Sequence, residues 1–173
     1  MFAKQGNGRN KISIKQLTQY ALFVAVCLIA GYLENLFIVP VIPGVKIGVS
    51  NAIALMLIYR GDKKGAWAVN ITRICLSSLL FGSPMSFLFS LSGGVASTAA
   101  ACLISKTKNV SCVGISIASG TVHNIFQLIA AAFFIGVGII YYLPILILLG
   151  AVCGAICGFL AGCFTKFKID KIY

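Results

Sequence analysis

The sequence predicts an all-α integral membrane protein of six transmembrane helices, with both termini on the cytoplasmic side. Three observations lead there. Of 173 residues, 60% are hydrophobic and 10% charged, whereas a soluble domain carries roughly 25% charged residues. The apolar residues fall into six stretches separated by basic clusters, Gly and Pro. The basic clusters then occupy every other connection, all on one side of a six-helix chain, which sets direction. A chain this apolar cannot cover a water-facing globule, and disorder needs low hydrophobicity. Its 14 Lys and Arg against 3 Asp and Glu give a net charge of +11. On so apolar a chain that excess is an orientation signal with some attraction to anionic lipid. It does not describe a nucleic-acid patch.

A spanning helix needs about 20 mostly apolar residues. The first stretch covers about 16–39 and ends at Pro40. The others cover about 47–59, 65–81, 85–105, 110–135 and 143–164. The second is too short to cross at full thickness unless Val45 and its neighbours extend it or the bilayer thins. It is read as a spanning helix, with a re-entrant segment as the alternative. Lys4, Arg9, Lys11 and Lys15 precede the first stretch, and Arg60, Lys63 and Lys64 lie between the second and third. Lys106 and Lys108 lie between the fourth and fifth, and Lys166, Lys168 and Lys171 follow the sixth. In a six-helix chain all of these fall on one side, and an odd number of spans would destroy the pattern. Cytoplasmic loops are enriched in Lys and Arg, so both termini are placed inside the cell. The chain then divides into a basic cytoplasmic segment (1–15), a transmembrane domain (16–165) and a basic cytoplasmic tail (166–173). No cleavable signal peptide is expected, because the first apolar run exceeds a signal core and no small-residue cleavage site follows it.

Arg73 stands about eight residues from either end of the third stretch, roughly 12 Å at 1.5 Å per residue, too far to snorkel. A guanidinium at that depth costs from about 2.5 to over 10 kcal/mol, so it must face a polar interior. Glu34, the only acidic residue within a stretch, or an anionic ligand would neutralise it. Asn70 lies on the same stripe. The fifth stretch carries Ser119, Gly120, Thr121, His123, Asn124 and Gln127, with His123 and Gln127 one turn apart. Asn51 and Lys46 flank the start of the second stretch, while Ser90, Ser92, Gly93 and Gly94 soften the fourth. Hydrocarbon offers these groups no partners. They form either an interhelical hydrogen-bond network or a ligand cavity opening outward, and the spread over several helices favours the cavity.

Gly150, Gly154, Gly158 and Gly162 recur every four residues and predict close helix packing, against a partner in this chain or in another subunit. Ala21 and Ala25 form a shorter pair of the same kind. The seven cysteines have no His or carboxylate at metal-ligand spacing and read as packing residues. No metal or cofactor is expected. There is no GxxxxGK[ST] loop, no HExxH and no pair of carboxylates, so enzymatic chemistry is poorly supported.

Several blocks together resemble the Gx transporter family, often labelled heptaprenyl diphosphate synthase component I. They are Pro43–Asn51 (PGVKIGVSN), Phe81-Gly82-Ser83-Pro84, Leu91-Ser92-Gly93-Gly94, Ser119–Leu128 (SGTVHNIFQL) and Tyr142-Leu143-Pro144. That family is considered related to the substrate-capture (S) components of energy-coupling factor (ECF) vitamin transporters. The resemblance implies an S-component-like bundle working with a coupling subunit and two ATPases. It also implies that small residues spaced four apart on the first helix, here Ala21 and Ala25, meet that subunit. Some members are associated with quinone synthesis and flavin-linked extracellular electron transfer. The synthase label conflicts with the residues, since prenyl chain elongation needs aspartate-rich motifs to hold Mg²⁺ on diphosphate and Glu34, Asp62 and Asp170 are scattered. If the label has content, the chain is an accessory subunit.

The expectation is therefore a multi-pass protein of the bacterial cytoplasmic membrane that binds a small anionic or amphipathic molecule. Arg73 supplies charge, Asn70, His123, Asn124, Gln127 and Asn51 orient polar groups, and Lys46 covers the entrance. The alternatives are a non-catalytic membrane subunit for heptaprenyl diphosphate or menaquinone synthesis, and a membrane partner in flavin-linked electron transfer.

Overall fold

The computed structural model describes residues 13–37, 49–107 and 110–166. Six α-helices account for most of them: α1 (Ile14–Phe37), α2 (Val49–Tyr59), α3 (Lys63–Phe81), α4 (Pro84–Ile104), α5 (Cys112–Ile135) and α6 (Leu143–Lys166). Four segments are long and apolar enough to cross a membrane: Ile14–Leu33, Pro84–Ile104, Cys112–Ile135 and Val137–Cys163. The fourth of these includes a short 3-10 helix, Val137–Tyr142, ahead of α6. α3 has the length, but Lys64, Asn70 and Arg73 lower its hydropathy. α2, with 11 residues, spans only about 16 Å, half of a hydrocarbon core about 30 Å thick. The segment 1–12, Lys46 and its loop, and the tail 167–173 lie outside the described residues.

Local chemistry accounts for most boundaries. Asp62 caps α3 by accepting a hydrogen bond from the Gly65 amide at 2.9 Å. Ser83 and Ser111 do the same for α4 and α5, satisfying amides that a helix start leaves open. Pro84 therefore begins α4 at the position where its missing N–H costs nothing. The apolar pattern places the start one residue later, at 85, with Pro84 as a separator. Gly136, at φ +114°, closes α5 and turns the chain into the 3-10 helix, an element the apolar pattern did not reveal.

The helices make an arc in the order α1, α3, α4, α5, α6, each packed on the next, and α2 lies inside it touching all five. That position explains its composition. Ala52, Ala54, Leu55, Met56, Leu57 and Ile58 are all buried, and a helix apolar on every side belongs in a core. The main hydrophobic cluster is built around it, from Val24 and Cys27 of α1, Ala66 and Val69 of α3, Ala101 of α4, Ile115 of α5 and Cys157 of α6. Outward-facing positions such as Leu22, Leu79, Phe133, Leu148 and Phe159 are apolar and exposed, which in water would be a liability and in lipid is the expected surface.

α5 and α6 pack most closely. A Cβ built at Gly154 would sit 2.5 Å from the Ser116 carbonyl oxygen and 2.8 Å from the Ile117 Cα. One at Gly120 would sit 2.6 Å from the Gly150 carbonyl oxygen. Only glycine lets these backbones approach so nearly. The stripe on α6 thus finds its partner within this chain for Gly150, Gly154 and Gly158, so those three are not available to another subunit. Gly162 has nothing within 4 Å of a built Cβ. Ala21 and Ala25 lie on an exposed face of α1.

Candidate functional site

α3 packs on α1, α2 and α4 but not on α5 or α6, and because α2 is short the space between these helices is only partly filled. A cavity of about 50 Å³ remains there. Asn51 and Leu55 of α2, Arg73, Ile74 and Ser77 of α3, and Ser90 of α4 line one side. Ser116, Gly120, His123 and Asn124 of α5 line the other, with Gly150, Cys153, Gly154 and Cys157 of α6 closing it. The polar residues of four separate stretches are thereby gathered at one place, in the interior of an apolar bundle.

Arg73 is held from its own helix. Its Nη2 donates to the Asn70 Oδ1 at 2.6 Å, a contact set by the i, i+3 spacing. Asn70, fully buried, uses its amide hydrogens in the other direction, donating to the Gly94 carbonyl oxygen at 3.1 Å and the Thr98 hydroxyl at 2.7 Å. It therefore fixes the guanidinium and ties α3 to α4 at once. The tie needs Gly94, whose Cβ would crowd Ile74 and the Asn70 amide. Gly93, the residue before it, lets α4 approach the His123 backbone in the same way.

His123 lies beside Ser97, with the hydroxyl 3.5 Å from Nδ1. Asn124 donates to the Leu146 carbonyl oxygen at 2.8 Å, binding α5 to α6 beside the seam. The structure thus brings Arg73, His123, Asn124 and Asn51 to the cavity wall and places Asn70 behind Arg73. Gln127 is buried further along α5 and does not line the cavity. Lys46 lies outside the described residues, as does the side chain of Glu34, so the pairing of Glu34 with Arg73 is not described. Cys153 and Cys157 share a face, as their spacing requires, and that face looks into the cavity. Ser116 also lines it, although nothing in the sequence separated it from the other hydroxyls of α5.

Away from the cavity, Asp62 accepts from the Tyr20 hydroxyl as well as capping α3, so its carboxylate joins α1 to the α2–α3 turn. Lys63, the first residue of α3, donates to the Cys102 carbonyl oxygen at 3.2 Å. Among the described residues no three His, Cys, Asp or Glu side chains are placed to hold a metal ion, and no carboxylate lines the cavity. The wall can donate hydrogen bonds and offer a positive charge, a set suited to binding an electron-rich group.

The family described as heptaprenyl diphosphate synthase component I matches residues 23–164. This chain belongs to that family. The match runs from the middle of α1 to the last turns of α6 and so takes in every helix that lines the cavity. No curated protein and no solved structure matches the chain.

Proposed function

We propose that this chain binds a small anionic or amphipathic molecule around Arg73 and serves as the substrate-binding subunit of a membrane transporter, like the S-components of ECF systems. The observation that carries this reading is the cavity itself. A guanidinium, an imidazole, two carboxamides and three hydroxyls are gathered from four helices inside a bundle whose exterior is apolar. On that wall the Ser116 Oγ has no hydrogen-bond partner among the described residues, and unsatisfied polar groups are costly in hydrocarbon.

In this reading six helices cross the bacterial cytoplasmic membrane with both termini inside, and Lys46 guards the outer entrance. Ala21 and Ala25, exposed on α1, face a coupling subunit. The chain carries no phosphate-binding loop, so ATP-driven work belongs to partner ATPases. The cavity volume of about 50 Å³ is far below the roughly 300–1,000 Å³ of small-molecule sites, so the helices must part to take a whole ligand.

The test is extraction of the wild-type protein and Arg73→Ala, purified from their own membranes, followed by mass spectrometry. The wild type is expected to carry an enriched compound that Arg73→Ala loses by at least about tenfold, about 1.4 kcal/mol, with both proteins eluting as folded species. Full retention by Arg73→Ala would remove the site assignment. The family's name favours a second reading, a non-catalytic component of a prenyl diphosphate synthase. A co-purified polyprenyl diphosphate would support it, and a flavin would support a role in electron transfer.

A further inference from the structure

Four hydroxyl side chains are buried among the described residues: Ser97, Thr98, Ser116 and Ser119. Three of them do what hydroxyls in membrane helices usually do and donate back to their own helix. Ser97 and Thr98 donate to the Gly94 carbonyl oxygen at 3.1 and 2.8 Å, and Ser119 donates to the Ser116 carbonyl oxygen at 3.1 Å. Ser116 breaks the pattern. It is fully buried, and its Oγ has no hydrogen-bond partner among the described residues. Such an orphan is expensive where no bulk water can reach it. The side chain lies where α6 is stripped to glycine, with its Oγ 2.8 Å from a Cβ built at Gly158, and it lines the cavity that Arg73 also lines.

We propose that Ser116 is a ligand-contacting residue, its hydroxyl completing with Arg73 a subsite for a single oxyanion, a carboxylate or phosphate group. The inference rests on the reading of this cavity as the ligand site and names the part of the ligand it receives. Chemistry selects the class. The described lining has one guanidinium, donors on Asn51, Asn124 and Ser116, and no carboxylate, so it complements negative oxygen atoms, and hydrogen bonds to such atoms are the strong ones. Size selects the extent. A cavity of about 50 Å³ has room for roughly three to five waters at about 10–15 Å³ each, the space of one compact head group.

The experiment compares wild type, Ser116→Ala and Ser116→Thr in detergent, with sodium phosphate or sodium acetate as the probe and sodium chloride at equal ionic strength as the blank. Phosphate stabilises folded proteins generally, so the quantity read is the gain of wild type over Ser116→Ala. At a probe concentration near 10 mM, the wild type should melt higher in phosphate or acetate than in chloride. Ser116→Ala should lose that difference while melting in chloride within about 2 °C of wild type, since it discards a group with no bond to lose. Ser116→Thr keeps the hydroxyl and should keep at least half of the gain. Equal gains in wild type and Ser116→Ala overturn the proposal, as does a large loss of stability in chloride with the gain intact, which would make Ser116 a packing residue. The co-purified compound separates this failure from that of the parent reading. If Arg73→Ala loses the compound and Ser116→Ala keeps it, the Ser116 subsite falls and the binding function stands; if wild type carries no compound and gains nothing from either probe, both fall. A phospholipid mass and a soluble acid are both oxyanion sources, told apart by whether the mass belongs to the membrane's own lipids, and a co-purified neutral compound overturns the proposal.

Discussion

The α5–α6 seam and the α3–α5 gap adjoin at the cavity, where Gly120, Gly150 and Gly154 form part of the wall, and they use opposite means to satisfy a helix in lipid. At the seam, side chains are removed. Gly120, Gly150, Gly154 and Gly158 bring backbone against backbone, and association there depends on close contact, because lipid offers no hydrophobic drive between helices. At the gap, side chains are added. Asn70, Arg73, Asn51 and His123 carry polar atoms into the interior, and α3 stays clear of α5 and α6. The seam has no room to change, while the gap is held open by groups whose bonds can be exchanged. A binding cavity belongs on the second kind of surface, and a rigid wall belongs on the first.

That contrast breaks most sharply at Gly154. Gly154→Leu would drive its Cβ against the backbone of Ser116 and Ile117, which cannot swing aside as a side chain does. The expected cost is at the upper end of overpacking, about 3 kcal/mol or more, read as lost monodisperse protein in detergent. A smaller effect is expected at the polar side. Asn70→Ala removes the bonds to Gly94, Thr98 and Arg73 together, and at about 0.6–2 kcal/mol per interhelical bond it should lower the unfolding midpoint while leaving a folded protein with weakened compound retention. The smallest change belongs to Gly162, where a Cβ meets nothing within 4 Å. Gly162→Ala should shift stability by no more than about 0.5 kcal/mol. If Gly162→Ala proved as harmful as Gly154→Leu, the Gly162 end of the stripe would be packing against a partner subunit.

The site was partly legible in the sequence. The depth of Arg73 follows from counting residues, and the brace by Asn70 follows from their spacing of three. Both depend only on helix geometry. Glycine periodicity announced a close contact on α6, but the identity of the facing helix depends on which elements become neighbours. Gln127 shows the limit from the other side. It is one turn from His123, yet it is buried without lining the cavity. Ser116 and Ser119 are indistinguishable as letters, three apart on one helix, and they separate only because Ser119 bonds to its own helix while Ser116 does not. The all-round apolar run of α2 carries a signal for a central helix, separate from the question of whether so short a helix spans.

The sequence by itself determined that this protein is a bundle of apolar helices, where most of them start and stop, and that a buried cation needs polar company. These follow from the energetics of a single helix in lipid and from capping, both local to the chain. Tertiary structure alone decided that the shortest helix is the hub, that three glycines of α6 are spent on α5, and that one serine hydroxyl on a cavity-lining residue is left without a hydrogen-bond partner among the described residues. Those outcomes depend on which backbones come within a few ångströms of one another, a property of the assembled arc and of no single segment.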